Sequence, residues 1–343
     1  MRTARDVLAA ARELADEVLF PDAMRVDRLD VLPAAHLDAL AAAGLYGAPA
    51  PADAGGLGLD PVQVATVVEE LAGGCLAVAF VLIQHFRLVM TLAEGAAPAV
   101  LRDRWLAPAC QGRTRGGIAL TGLIPGSPQL RAEPAEGGWR LDGTAPWVTG
   151  WGLIDLVQVV ARGPDDTVVT LIMAAAAQPG LTVTRQRLAA VDAAVTVRLG
   201  FGGVLIPAER FVDQVPFDPA VSVQPAGLRL NGSLAIGVAR RCTRLLGPSP
   251  LDDEVTACRD RLDAALGAGP EPMAAARAAA SDLALRAAAA LAVHDGANSI
   301  AVDRHPQRLA REALFLLVFG SRPGIKNSLL HQLGAGAVPS GRP

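Results

Sequence analysis

The spacing of apolar residues changes twice along the chain and divides it into three parts. Up to about residue 111, apolar residues recur every three or four positions, as they do on one face of a helix; Val7, Ala11, Leu14 and Val18 begin the series. From Gly116 onward, β-branched residues alternate between glycine-rich turns, which is typical of short strands. Helical spacing then returns. The pattern predicts a helical, a β and a second helical domain over residues 1–111, 112–222 and 223–343.

Local signals mark several helix ends in the first part. Gly44 ends a helix predicted over residues 37–43. Asp60 followed by Pro61 is typical of an N-cap with a proline in the first turn, and opens a helix that runs through Glu70. Two more helices are predicted, over residues 75–92 and 101–109.

The middle part is predicted to form a small barrel or sandwich, because several short strands follow one another between turn signals. The strands are predicted over residues 139–148, 156–161, 167–173, 181–184 and 195–205, followed by a loop over 207–219. In the third part, Asn231 or Ser233 is predicted to cap a helix that ends at Gly247. Further helices are predicted over residues 252–266, 272–294, 305–319 and 325–333.

Composition excludes some classes of function. The net charge of −3 gives no excess of basic residues for binding nucleic acid. The four cysteines are widely spaced and form no C-x-x-C pair, which favours reduced thiols in a cytoplasmic protein and no metal site. Charged residues interrupt the early apolar runs, and Arg277, Asp282 and Arg286 interrupt the alanine-rich stretch 273–293. We therefore expect neither a signal peptide nor a membrane span.

Several segments resemble, in order, the motifs of one enzyme family. Leu120–Pro128 matches the Leu, Thr, Gly and Ser of the pattern L-T-E-P-x-x-G-S-D at the same spacing. Gly143–Thr149 resembles G-x-K-x-W-I-T, and Ile154–Asp155 resembles the strand start A-D that follows it. Ile206–Phe211 resembles V-P-A-E-x-V, and Pro306–Ala313 is similar to the segment before the final helices. The chain thus resembles the acyl-CoA dehydrogenases.

This resemblance implies an α+β fold with an N-terminal helical domain, a middle β-barrel or sandwich domain and a C-terminal helical bundle. It also implies FAD, whose flat ring needs an aromatic wall and donors at its polar edge. Trp147 would supply the wall, Thr149 and Thr121 the donors, and Ser127 a hydrogen bond to the pyrophosphate. The implied cofactor-binding residues are Leu120, Thr121, Gly126, Ser127, Trp147 and Thr149.

The residues that would act as the catalytic base differ from the family pattern. The family carries its glutamate either in a Y-E-G-T turn or in a G-L-x-x-E-R segment. Gly320 stands at the first of these positions and Asn231 at the second. Neither side chain accepts a proton at neutral pH. Glu312, the nearest acid in sequence, is expected in a structural ion pair on the preceding helix.

His85 is another candidate for a base, because an imidazole titrates near neutrality and this one follows an apolar run. The alternative is a histidine that only satisfies hydrogen bonds on a partly buried helix, and this alternative is the default for such a position.

The resemblance implies an FAD-dependent oxidoreductase acting on the CH–CH group of an acyl-CoA or acyl-carrier-protein thioester, in fatty acid metabolism. Its base would be unconventional or come from a partner chain. Two alternatives remain open: a non-catalytic or partner-dependent subunit, and a flavin monooxygenase, whose oxygen chemistry resides in the cofactor. The family also implies a homodimer or homotetramer, or a hetero-oligomer with a homologue.

Overall fold

The computed structural model describes residues 3–94, 97–218, 224–320 and 322–335 of the 343-residue chain. Helices come first, then one mixed sheet, then a second set of helices, in the predicted order. In the first part the described helices are α1 (Ala4–Glu13), α2 (Phe20–Val26), α3 (Ala34–Ala42), α4 (Pro61–Gly74), α5 (Leu76–Ala93) and α6 (Ala99–Cys110). A π-helical segment, Leu14–Leu19, joins α1 to α2.

The predicted start of α4 is confirmed. The Asp60 side chain accepts the backbone N–H of Gln63, the Gln63 side chain accepts that of Asp60, and Pro61 occupies the first turn. Gly44 follows α3 in the left-handed region, with φ of 72°, as its role at a helix end requires.

Helix α5 lies in the centre of the helical core. It is long and apolar enough to cross a membrane by length and composition, with a mean hydropathy of 1.8. However, 83% of that stretch is buried against the rest of the fold, which accounts for its apolar character.

The middle part forms one mixed sheet in two halves. Its described strands are β1 (Gly116–Ala119), β2 (Leu130–Ala135), β3 (Gly138–Thr149), β4 (Leu156–Arg162), β5 (Thr167–Ala174), β6 (Leu181–Arg185), β7 (Thr196–Pro207) and β8 (Phe211–Pro216). The strand order is β6-β7-β3-β2-β4-β5-β8, with β1 beside β4. A single residue pair, Arg131 with Arg162, joins β2 to β4. Apolar side chains of both halves share one core cluster, as in a sandwich or flattened barrel.

Two strand predictions need correction. Residues 207–219, predicted as a loop, contain β8, which pairs with β5 at the edge of the sheet. An edge position tolerates Pro216 because its missing N–H is not needed by a further strand. Strand β2 was also not predicted, because Pro134 weakens its pattern; the turn at Gly137 pairs it with β3 as a hairpin.

The third part is a bundle of helices around α7. Its described helices are α7 (Pro225–Leu246), α8 (Leu251–Ala264), α9 (Pro270–Asp295), α10 (His305–Val318) and α11 (Pro323–Gln332). The predicted cap of α7 is wrong, since Asn231 and Ser233 lie inside the helix. The Ser233 hydroxyl instead donates to the Arg229 carbonyl and accepts from the Arg229 guanidinium.

The two helical parts pack closely through α4 and α7. A side chain on Gly237 would meet the backbone of α4, coming within 3.0 Å of the Gly73 nitrogen. A buried ion pair lies beside this contact: Arg229 Nη2 donates to Glu69 Oε1 at 2.9 Å, and Arg259 also pairs with Glu69. This close packing fixes α7, which carries Asn231, against the core.

Candidate functional site

Trp147 is displayed at an irregularity in β3. The pairing of β3 with β7 shifts register between Ala145 and Val148, which places Trp147 in a β-bulge. Its φ of 66° is unusual for a bulky residue, and 61% of the side chain is exposed. Such strain persists where the surrounding structure imposes it, and it often marks functional sites. The indole therefore offers an open flat face at the edge of the sheet.

Two buried threonines lie on or beside β3. Thr149 is buried, and its hydroxyl shares a hydrogen bond of 3.1 Å with the hydroxyl of Thr196 on β7. A mutual pair uses only one of the two hydroxyl hydrogens, so the second remains free to donate elsewhere. Thr121 is also buried and directly follows β1, a strand that contacts β3. Sequence patterns alone did not single out Thr196.

The remaining predicted cofactor residues lie on the connection from β1 to β2. Leu120 is half-buried, whereas Gly126 and Ser127 are exposed. Gly126 has a φ of 100°, and a side chain built on it would point into open space. The Thr144 N–H donates to the Gln129 carbonyl at 2.7 Å, which ties this connection to β3. The connection and the bulge are thus anchored to the same strand.

These residues fit an FAD ring in chemical type. An exposed indole can pack against a flat heterocycle, and the Thr149–Thr196 pair retains a hydroxyl donor for its polar edge. The backbone at Gly126 is accessible on the loop. Trp147 is not sealed in the core, which would have ruled out a stacking role.

The two residues predicted to stand at the family's glutamate positions lie close together in the structure. Asn231 lies two turns into α7, and Gly320 follows the end of α10. A β-carbon built on Gly320 would lie 3.1 Å from Asn231 Nδ2. Two segments almost 90 residues apart therefore converge on one point, as expected if both can serve the same reacting atom. Here that point carries an amide and a glycine.

An aromatic cluster borders this point. Phe319, the residue before Gly320, contacts Phe80 on α5 with ring centroids 4.8 Å apart. Phe315 on α10 contacts both rings. The surroundings of Asn231 and Gly320 are therefore apolar on the side of α5, which suits an acyl chain more than a polar substituent.

Glu312 does not take the place of the missing base. It is buried, and Arg308 Nη1 donates to its Oε1 at 2.5 Å. Burial raises the pKa of Glu312 although Arg308 opposes that effect. Its contacts make it one half of a structural ion pair, as expected from the sequence.

His85 is part of the core. It is 1% exposed, its Nδ1 accepts the backbone N–H of Gly116 at 2.9 Å, and its ring contacts Tyr46 edge-on. Burial lowers the pKa of His85 to about 3, so the ring is neutral at physiological pH. These contacts support the alternative of a structural histidine that joins α5 to β1.

Arg277 holds the turn that carries Gly320. This side chain of α9 is buried, and its Nη2 donates to the carbonyls of Leu316 and Phe319 at 3.1 and 3.4 Å. Those carbonyls end α10, where a positive charge is favourable. Sequence analysis gave Arg277 no such role, because its partners come from a helix 40 residues away.

No cluster of three His, Cys, Asp or Glu side chains that could hold a metal occurs within the described ranges. A groove of about 560 Å³ lies between α3 and the turn before β4. None of the predicted site residues lines it. Its Arg115 is engaged, with Nη2 on Asp38 at 2.9 Å and its backbone N–H on Asp155 at 2.7 Å.

Comparison with known proteins finds similarity to acyl-CoA dehydrogenases. The sequence-family model of the acyl-CoA dehydrogenase N-terminal domain matches residues 2–113. Benzylmalonyl-CoA dehydrogenase of Aromatoleum aromaticum is 27% identical over 66% of this chain and 62% of its own length. The human mitochondrial short-chain specific acyl-CoA dehydrogenase is 24% identical over 68% of this chain and 59% of its own. The matched region thus spans about three fifths of these curated relatives.

The fold agrees over almost the whole chain. The structure of butyryl-CoA dehydrogenase from Megasphaera elsdenii superposes with a TM-score of 0.83 at 20% identity, covering 97% of both chains. The domain match, the relatives and the order of helices, sheet and helices agree with one another. Residues 2–113 therefore match the acyl-CoA dehydrogenase N-terminal domain, and almost the whole chain has the fold of butyryl-CoA dehydrogenase.

Proposed function

We propose that this protein is an FAD-dependent oxidoreductase that acts on an acyl thioester, carried by coenzyme A or by an acyl carrier protein. The observation that carries the proposal is the convergence of Asn231 and Gly320 on one point beside the aromatic cluster of α5 and α10. This convergence supports a reaction position like that of the family, with an amide and a glycine in place of the carboxylate.

Each of the following residues would have a distinct role. Trp147, whose indole is exposed, would pack against the ring of FAD, and the hydroxyls of Thr149 and Thr121 would donate to its polar edge. Bound FAD would supply the hydride acceptor. Phe80 and Phe319 exclude water from the acyl chain. Asn231 holds no proton at neutral pH but can donate its amide N–H to a thioester oxygen.

The missing carboxylate sets the limits of this chemistry. Removal of a proton beside the thioester carbonyl requires a base, and neither Asn231 nor Gly320 provides one. We propose that the proton is taken by a group outside these two positions, such as a carboxylate of a partner chain. The same observation favours a second candidate, a flavin monooxygenase, whose chemistry needs no such base. A non-catalytic subunit is the third.

A visible spectrum of the purified protein separates the non-catalytic subunit from the two enzymes, since bound flavin is yellow. We expect Trp147→Ala to lose most of the flavin. The matched control is Trp139→Ala, on the same strand, where the indole stacks on Phe211 at 5.8 Å instead of facing outward. A colourless wild-type protein that stays colourless after addition of FAD would remove the cofactor from the proposal.

Anaerobic mixing with a panel of acyl-CoA thioesters then separates the two enzymes. Bleaching of the flavin by substrate alone supports a dehydrogenase. A hydroxylated product that forms only with oxygen, after reduction by an external donor, supports a monooxygenase.

We also propose a homodimer or homotetramer in the cytoplasm. Most of the large aliphatic residues that are more than half exposed lie on the end of α9, on its connection to α10 and on α10: Val293, Ile300, Val302, Leu314 and Val318. Exposed apolar side chains on successive elements of the chain favour an interface between subunits. Light scattering after gel filtration measures the mass, and Val293→Lys with Val318→Lys should dissociate the oligomer. A monomeric wild-type protein would refute this assignment.

A further inference from the structure

Among the described residues, one buried arginine lacks an acidic partner. Five arginine side chains are more than nine tenths buried, and four of them pair with a carboxylate: Arg162 with Asp166, Arg229 with Glu69, Arg241 with Asp16, and Arg308 with Glu312. Arg277 is the exception among the described residues, since its partners are neutral oxygens. Burial lowers the pKa of Arg277 to about 10.

A second uncompensated arginine follows the same turn. Arg322 is half-buried at the start of α11, two residues after Gly320. Within the described part of the chain it makes no hydrogen bond or ion pair through its side chain, and burial lowers its pKa without an acidic neighbour to oppose the effect. An arginine that has no acidic partner keeps its N–H donors available, and a half-buried one can offer them to an anion from outside the chain.

These two arginines flank the point where the family's carboxylate is missing. Arg277 binds the Phe319 carbonyl, just before Gly320, and Arg322 comes just after it. The nearest buried acid on α10, Glu312, is neutralised by Arg308. The turn therefore carries excess positive charge where a relative with the usual glutamate would carry a negative one.

We propose that Arg322 binds a carboxylate on the acyl part of the substrate, so that this site takes thioesters of dicarboxylic acids. The inference rests on the proposed action on acyl thioesters and names their class. A guanidinium forms two parallel hydrogen bonds with a carboxylate, which gives both affinity and orientation. Arg277 is a positioning residue that keeps the turn in place under the ligand.

The test compares two thioesters that differ only at the end of the acyl chain, succinyl-CoA and butyryl-CoA. Calorimetric titration of the purified full-length chain measures both dissociation constants. We expect succinyl-CoA to bind at least about tenfold more tightly, as expected for a charge-assisted hydrogen bond in a partly buried site. The Arg322→Gln variant should lose this preference and keep its affinity for butyryl-CoA. Arg322→Lys should retain part of it, because the charge remains.

The matched control is Arg210→Gln. Arg210 is also half-buried, makes no ion pair with a described residue and stacks on Trp105, in the β-domain and not in this turn. The Arg210→Gln variant should leave both dissociation constants unchanged. The unfolding temperature of each variant establishes that it is folded.

Each other outcome overturns the proposal in a distinguishable way. Equal binding of the two thioesters by the wild type removes the dicarboxylic class but leaves the proposed function. A preference that survives in Arg322→Gln but is lost in Arg87→Gln moves the anion site to α5, where Arg87 Nε is buried without a partner. Binding of neither thioester removes acyl-CoA ligands from the proposed function as well, whereas a yellow protein would still retain its flavin.

Discussion

Asn231→Glu is expected to give this protein a base at the family's second glutamate position and to raise its oxidation of neutral acyl-CoA. The space exists because Gly320 has no side chain; a β-carbon there would already lie 3.1 Å from the Asn231 amide. Glutamate extends the side chain by one methylene toward that point. It is also a better helix former than asparagine, so the interior of α7 should accept it.

The expected magnitude follows from the chemistry of the step. A positioned general base contributes roughly 10²- to 10⁴-fold to a proton transfer. Asn231 is half-buried, so desolvation should raise the pKa of the new carboxyl, while an arginine such as Arg322, two residues after Gly320, would oppose that effect if it reaches the carboxyl. The carboxylate should therefore be charged at neutral pH. Because the surrounding side chains are not arranged to position a carboxylate at residue 231, we expect a rate increase in the lower part of this range, about 10²-fold.

The assay is the rate of flavin bleaching in one anaerobic turnover with butyryl-CoA. Asn231→Gln has nearly the same volume without the charge and is the matched control; its rate should equal that of the wild type. Gly320→Glu should gain less, because a side chain at φ of 58° is strained and meets Asn231. If Asn231→Glu folds, holds flavin and bleaches no faster than Asn231→Gln, the convergence of the two positions does not describe the reaction site.

Three further predictions concern stability. The pKa of His85 is lowered to about 3 in the folded state from 6.5 in the unfolded state, so the unfolded state binds the proton first as the pH falls. The free energy of unfolding should therefore fall by up to about 1.4 kcal/mol per pH unit between pH 6.5 and pH 3. This slope should decrease in His85→Asn. Glu69→Gln leaves the buried Arg229 less compensated and should cost about 3 kcal/mol in urea unfolding, whereas Glu133→Gln, in an exposed pair, should cost less than about 1 kcal/mol. Gly237→Ala should cost about 1–3 kcal/mol by forcing α4 and α7 apart.

Each of these has a contrary result. An unchanged pH slope in His85→Asn would mean that another group, such as His305, whose pKa is also lowered, dominates the acid dependence. Equal losses for Glu69→Gln and Glu133→Gln would show that the buried network contributes no more than a surface pair. A Gly237→Ala variant as stable as the wild type would contradict the close approach of the two helices.

The order of the fold could be predicted because its signals are local. Asp60 and Pro61 satisfy the first turn of α4 by themselves, and the alternating residues of β4 and β5 indicate strands without reference to distant segments. Strand β8 was missed because an edge strand is defined by its neighbour β5 more than by its own sequence. The start of α7 was missed because Asn231 and Ser233 are typical caps, and only the tertiary structure places them inside a helix.

The site residues, too, were only partly predictable from the sequence. Trp147 and Thr149 were predicted from a motif, but the bulge that exposes the indole depends on the pairing of β3 with β7. The motifs indicated that Gly320 and Asn231 lack carboxylates, yet their contact depends on how α10 ends against α7. Arg277 gave no signal, since an arginine in an alanine-rich helix is usually solvated and its burial follows from packing.

The loss of the carboxylate and the unpaired arginines are best understood as one change in the charge of the site. Without a substrate carboxylate, Arg322 stays half-buried and unpaired, and its desolvation costs free energy. Moving this side chain into solvent or replacing it would remove that cost. A substrate carboxylate removes that cost whenever it binds, and it occupies the charge position that the glutamate left. The two experiments at this turn are therefore coupled. Asn231→Glu should bring its own carboxylate to Arg322, so the variant that gains oxidation of butyryl-CoA should lose much of its preference for succinyl-CoA.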